Sequence, residues 1–324
     1  MNARLAIYAA VFGVLILSWV ASFVIYRAAE MGDLIAPVEL RRFEQLTLVA
    51  VGTGNEFENP ARMGPSLAVG LADDLYLVDA GRGVAEALRN AAIPVEQVET
   101  LLLTSLQLEA TLGLDDLWLT GWRDGRDHAL RVVGPPGTAA LVDGLRRAHE
   151  SALRAAGEGL GLPAEGAAIE VIEAEEGWSD AREVLRVSAR ELTGGPVPAL
   201  AWRFESLEGW RRSIVVTGTG WSPDALVEAA RDADVWVHEA IYVPTPEDAE
   251  AAGVTLDAAQ LERDAALHTS IFDIGELASR AGVGHLVFWR LRPPPMYAFQ
   301  ISGFVSRSFD GEISVPEDGD EITP

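Results

Sequence analysis

Chemistry in this chain falls to imidazole and carboxylate groups. The sequence has no Cys, which excludes disulfides, thiolate metal sites and Cys nucleophiles. No Gly-x-Ser-x-Gly elbow presents a serine nucleophile. Gly52-Thr53-Gly54 is too short to cradle a phosphate. There are 5 His. Of these, His128, His149 and His285 are scattered and read as surface or packing residues. His238 and His268 stand in the strings His238-Glu239-Ala240 and His268-Thr269-Ser270. Asp79 closes the run Leu77-Val78-Asp79-Ala80-Gly81 and reads as a turn or loop cap.

Strands alternating with helices must position these groups. Leu46–Val51 is a short β-rich run, and Ser66–Leu71 with Leu75–Val78 reads as a hairpin around Ala72-Asp73-Asp74. Val84–Ala91 and Thr138–Ala156 have helical spacing. Thr100–Thr104 and Leu130–Val133 are buried strands, the second stopped by Gly134-Pro135-Pro136-Gly137. Ile169–Ile172, Glu183–Ala189, Ala199–Glu205, Arg212–Thr217, Val235–His238 and His285–Trp289 complete the strands. Pro223–Ala230 and Ile274–Ala281 are helices. Hairpins followed by βα units, twice over, predict an α/β protein with two mixed sheets covered by helices.

The order of landmarks resembles the metallo-β-lactamase superfamily, in its ribonuclease Z-like branch, over roughly residues 44–300. The landmarks are Val51-Gly52-Thr53-Gly54, Asn59-Pro60 with Pro65-Ser66, Leu77 to Gly81, Gly134 to Gly137, Val216-Thr217-Gly218-Thr219-Gly220, His238-Glu239-Ala240 and His268-Thr269-Ser270. The resemblance implies a four-layer αββα sandwich. It also implies a hydrolase in which two metal ions, held by His and Asp, activate a water.

The family's motif Thr-His-x-His-x-Asp-His maps onto Thr104-Ser105-Leu106-Gln107-Leu108-Glu109-Ala110. Ser105, Gln107 and Ala110 replace histidines, and Glu109 replaces the Asp. Further on, Gly195 falls at the fourth His, Thr219 at the bridging Asp, and Arg290 at the last His before the Pro-rich turn. By this mapping all seven ligand positions are changed, and only Glu109 remains able to bind a metal. Arg290 puts a permanent cation where a dication would bind. No metal and no cofactor is therefore expected.

His268 matches a position thought to act as general acid in that branch, and His238 and Glu239 match a supporting pair. They read either as an acid–base set serving a metal-free reaction or as groups whose hydrogen bonds order two loops. There are 9 Trp. Trp118 and Trp122 follow the altered motif, and Trp221 and Trp289 flank two altered positions; they read either as core residues that fill the space left by the metals or, where exposed, as anchors of a candidate protein interface.

Leu5 to Tyr26 is 22 residues without a charge, about 33 Å as a helix and enough to cross a bilayer. Leu5, Tyr8, Gly13, Trp19 and Tyr26 belong to this anchor, with Tyr8 and Tyr26 near its two ends. A helix close to the N-terminus ahead of one large domain is the usual signal-anchor form, which places the domain on the periplasmic side of the inner membrane. Arg27, Arg41 and Arg42 after the span, against Arg4 before it, weigh the other way. Residues 28–43 read as a linker, 44–309 as the domain and 310–324 as a loose acidic tail.

The formal charge is −24, from 49 acidic and 25 basic residues, all of the latter Arg. Spread acidic charge argues against a nucleic-acid partner. Three functions follow as expectations. The first is a non-catalytic, membrane-anchored accessory or scaffold subunit of a larger membrane protein complex; a photosynthetic or respiratory assembly is one candidate, for which no residue speaks. The second is a metal-dependent or metal-free hydrolase with a rebuilt site using Glu109, His238, Glu239 and His268. The third is a small-ligand sensor.

Overall fold

Apolar β-rich segments pair into two seven-stranded sheets. The computed structural model describes residues 3–55, 59, 61–195, 197–219, 222–244, 259, 263, 265–294 and 298–324. The chain divides into two compact units, Met1–Glu39 and Leu40–Pro324.

The first unit is a helix, Ala3–Ile35. It continues through residues 28–35, which the sequence reads as linker. Its window Val11–Ala29 has mean hydropathy 1.9 and is long and apolar enough to cross a membrane. Tyr8, Trp19 and Tyr26 are exposed on it.

In the second unit, one sheet contains β1 (Phe43–Gly52), β2 (Ser66–Ala72), β3 (Asp74–Val78), β4 (Thr100–Leu102), β5 (Leu130–Gly134) and β6 (Ile169–Glu173). The other contains β7 (Ser179–Ala181), β8 (Leu185–Leu192), β9 (Ala199–Ser206), β10 (Ser213–Thr217), β11 (Val235–His238), β12 (His285–Phe288) and β13 (Glu312–Ser314). β14 (Glu321–Ile322) returns to the first sheet beside β1. The orders are β14-β1-β2-β3-β4-β5-β6 and β13-β12-β11-β10-β9-β8-β7. β3 to β6 run parallel, as do β10 to β13.

Apolar residues on both faces of each sheet require cover on both sides. Leu48, Val69, Val78, Trp202, Val216 and Val237 fill the space between the sheets. Leu88, Leu117, Trp118 and Val142 pack helices Val84–Asn90, Leu114–Asp124 and Thr138–Leu160 on the first sheet. Leu226, Ile274, Leu277 and Ile301 do the same on the second, from helices Pro223–Ala230, Ile274–Ala281 and Ala298–Val305. The result is the four-layer αββα sandwich that the resemblance implies. The covering helices are encoded locally. Ser222 caps the first, accepting from Ala225 N with Pro223 next, and Ile274, Leu277, Ala278 and Ala281 make one buried stripe on the second.

Two expectations need correction. The tail is not loose: β13 and β14 pair at the outer edges of the two sheets. Strands of two or three residues are too short to show a periodicity. Trp118, Trp122 and Trp289 are buried and so form no interface; their aromatic area fills the core. Trp221, Gly220 and Pro60 lie outside the described residues.

Candidate active site at the strand ends

Parallel strands gather their C-terminal ends at one edge, where open α/β sheets commonly place function. Asp79 follows β3, Thr104 and Ser105 follow β4, Gly218 and Thr219 follow β10, Glu239 follows β11, and Arg290 follows β12. The two sheets are stitched here. Leu200 N donates to Thr104 O at 2.8 Å, Ser105 bridges Ala199, and Arg290 N donates to Thr53 O at 3.0 Å.

Asp79 is fully buried and accepts from Thr104 N and Thr104 Oγ1, each at 2.7 Å. Its other partner is Arg290, also fully buried, in a close ion pair. Burial pushes the Asp79 carboxyl up, to about 6, against the opposing pull of Arg290 and the Thr104 donors.

His238 is fully buried. Its Nδ1 lies 2.7 Å from Thr217 Oγ1 and its Nε2 2.7 Å from Thr269 Oγ1, and the ring stacks on Trp236. Burial pushes its pKa down to about 4, so the ring is neutral near pH 7. With both nitrogens engaged and no exposed face, His238 orders the loops after β10 and β11.

Glu239 Oε1 accepts from Thr269 N at 3.1 Å. Its Oε2 lies 3.0 Å from His268 Nδ1, an ion-pair contact whose ring nitrogen points off the line of a regular hydrogen bond. Arg292 Nη1 lies 3.4 Å from the same oxygen. Burial raises the Glu239 carboxyl, but His268, His238 and Arg292 outweigh it and hold the group below the usual carboxylate range. Arg292 also reaches Glu109, at 3.7 Å. His268 lines an open cavity of about 440 Å³ between helices Pro223–Ala230 and Ile274–Ala281.

The structure therefore brings together Asp79 with Arg290, and Glu109 with Glu239 through Arg292, with His268 against Glu239. Arg292 is absent from the sequence reading. The signal was a second Arg two residues after Arg290, before the three prolines. His128 pairs with Asp127, His149 with Asp115, and His285 touches Ser314, all away from this edge.

The positions that the resemblance maps to metal ligands do not fit two dications. Ser105 and Ala110 are buried without imidazole, Gly195 is exposed between β8 and β9, and Thr219 Oγ1 is buried with no hydrogen-bond partner among the described residues. Gln107 approaches Ser105 Oγ, not a carboxylate or imidazole. Glu109 faces Arg292. Among the described residues no group of three His, Asp or Glu side chains is arranged to hold a metal.

Solved structures share this architecture. A metallo-β-lactamase-fold protein of Bacillus subtilis matches with a TM-score of 0.64 and 16% identity, over 86% of this chain and 99% of that one. Human tRNase Z, short form, matches with a TM-score of 0.59 and 19% identity, again over 86% and 99%. The chain thus has the metallo-β-lactamase fold. No family model matches it. Ribonuclease Z of Mycobacterium bovis (strain BCG / Pasteur 1173P2) is 31% identical over 283 residues, covering 84% of this chain and 96% of that protein. Ribonuclease Z of Mycobacterium tuberculosis (strain ATCC 25618 / H37Rv) is 30% identical over the same length. The chain belongs to the ribonuclease Z family.

This kinship overturns the first functional expectation, a non-catalytic pseudoenzyme serving as scaffold for a membrane complex. The relatives carry an enzyme's name over almost their full length. Loss of ligands removes one chemical route, not acid–base chemistry. It also overturns the exclusion of nucleic acid, since the relatives are named for ribonuclease activity. Net charge averages the whole surface, whereas a substrate meets local side chains.

Proposed function

We propose that this chain is a hydrolase of the ribonuclease Z family that cleaves a phosphodiester, RNA in the first instance, at a site rebuilt without the family's metal ligands. The observation that carries this is the 3.0 Å approach of Glu239 to His268 at a cavity of about 440 Å³, within the usual range for ligand pockets. A buried carboxylate behind an imidazole orients the ring toward the cavity. In this reading His268 protonates the leaving oxygen as the P–O bond breaks, while the oxygen of a water forms the new bond to phosphorus. Arg292 supplies positive charge beside Glu239 and Glu109, and Glu109 is the carboxylate available to take the proton of the water. His238 holds Thr269, and through it the loop that carries His268.

The test is cleavage of a precursor transfer RNA and of a short RNA by the full chain, with and without a chelator. Cleavage that survives chelation and is lost in His268→Ala supports the reading. No cleavage, or cleavage abolished by the chelator and restored by zinc, rejects it.

The N-terminal helix belongs to the same proposal as an anchor in the inner membrane, with the domain on the periplasmic side. The signal-anchor form supports that side, and Arg27, Arg41 and Arg42 oppose it. A reporter fused after Pro324 that is active only in the periplasm decides between them.

A further inference from the structure

A guanidinium stands at a position that the resemblance maps to a metal ligand. Arg290 is fully buried and pairs with the buried Asp79. Asp79 sits on the loop after β3 in one sheet, and Arg290 on the loop after β12 in the other. Both residues adopt left-handed backbone, with φ 58 and 53. Non-glycine residues rarely do so unless their surroundings hold them there. The Arg290 guanidinium carbon lies 4.0 Å from the centroid of the Trp289 ring. On its other side the packing is tight. A Cβ on Gly218 would fall 2.5 Å from Thr104 Oγ1 and 3.3 Å from Arg290 Nη1. The polar atoms left over here are Arg290 Nε and Nη1 and Thr219 Oγ1, none with a hydrogen-bond partner among the described residues. Two of those three are donors only and offer a cation nothing.

We infer that Arg290 has taken over the structural charge of the metal cluster: it is a built-in cation that neutralises Asp79, ties the two sheets at the strand ends, and lets the domain fold without dications while excluding them. Three physical arguments converge. A guanidinium stays charged at any ordinary pH, so its repulsion of a dication cannot be titrated away. Asp79 has its oxygens committed to Thr104 and Arg290 and has none directed to a metal. Glu109 is the one carboxylate among the seven mapped positions, and it faces Arg292. In a metal-dependent fold the apo protein loses binding energy that is part of its folding energy. Here the fixed charge is covalently part of the chain.

This inference stands apart from the hydrolase reading, because metal content and melting are read without substrate. The full chain in detergent, exposed to zinc and to manganese and then desalted, is expected to retain far less than one equivalent of either. Its melting temperature is expected to be unmoved by EDTA. Arg290→Met leaves Asp79 buried and uncompensated, and its melting temperature is expected to fall by about 10 °C. Asp79→Asn combined with Arg290→Met removes both charges and is expected to recover part of that loss, even where the single variant does not fold. A tightly held ion in the natural chain would overturn the inference. So would an unchanged melting temperature in Arg290→Met, or a double variant no more stable than the single one.

Discussion

Arg292 Nη1 stands 3.4 Å from Glu239 Oε2, and both side chains are buried. The same guanidinium lies 3.7 Å from Glu109. One cation thus serves two buried carboxylates whose charge would otherwise stand uncompensated. Arg292→Met is expected to cost about 3–5 kcal/mol, because it strands buried negative charge. Urea unfolding measures this. A cost below 1 kcal/mol, on the scale of an exposed pair, would show that the two carboxylates are neutral or solvated.

His268 touches the cavity while Glu239 sits behind it. Replacing the imidazole removes proton transfer and leaves substrate contacts elsewhere in place. His268→Ala is expected to lower turnover on RNA by about 10²-fold with KM little changed. Glu239→Gln keeps shape but removes the carboxylate charge 3.0 Å from His268 Nδ1, and is expected to lower turnover on RNA by about 10-fold with KM little changed. Unchanged turnover assigns Glu239 to loop order alone.

The sign of the pH dependence of stability can be worked out from two buried groups. His238 titrates at about 4 in the fold, against about 6.5 when unfolded. Its contribution is complete above pH 6.5 and is lost as pH falls through that interval, by about 3 kcal/mol at the bottom. Asp79, raised to about 6, acts in the opposite sense: between about 4 and 6 the fold holds a proton that the unfolded chain releases. The natural chain should therefore show a shallow profile. Removing the imidazole in His238→Gln leaves the Asp79 contribution exposed. That variant is expected to lose less stability on acidification from pH 7 to pH 4.5 than the natural chain does. Parallel profiles for the two proteins would contradict both assignments.

The landmarks at strand ends were legible because turns and caps are local. Asp79 after an apolar strand, the Gly-Pro turn and the His-Glu-Ala string each carry their own short-range chemistry. What joins them was not legible. Thr217 at the end of β10 and Thr269 in a later loop clasp His238, and Arg292 reaches two carboxylates far away in sequence. Such partners are fixed by packing, and a single sequence has no period that announces them. The tryptophans show a related limit: from the sequence Trp118 and Trp122 are open to both a core and an interface reading. Only the backbone acceptors that their ring nitrogens find, Ala167 O and Pro163 O, decide for core. The charge argument failed because a total of −24 says nothing of the guanidinium groups gathered at one edge.

The acidic tail shows how a segment without apparent order can support the site. Asp318 Oδ1 accepts from Thr53 N at 2.8 Å and Thr53 Oγ1 at 2.7 Å, and its Oδ2 accepts from Met63 N. Thr53 O in turn accepts from Arg290 N. One carboxylate therefore fixes the loop after β1, on which the backbone of the buried guanidinium leans. Hydrogen bonds to a charged acceptor are each worth about 1.5–3 kcal/mol. Asp318→Ala is expected to cost about 3 kcal/mol and to loosen Arg290 without touching it. Hydrogen exchange reads the second effect. The amides of Thr53 and Arg290 should lose protection together in the variant, while that of Val216 in the central sheet falls no further than the global stability. Loss at Thr53 alone would confine the tail to its own loop and detach it from the strand-end site.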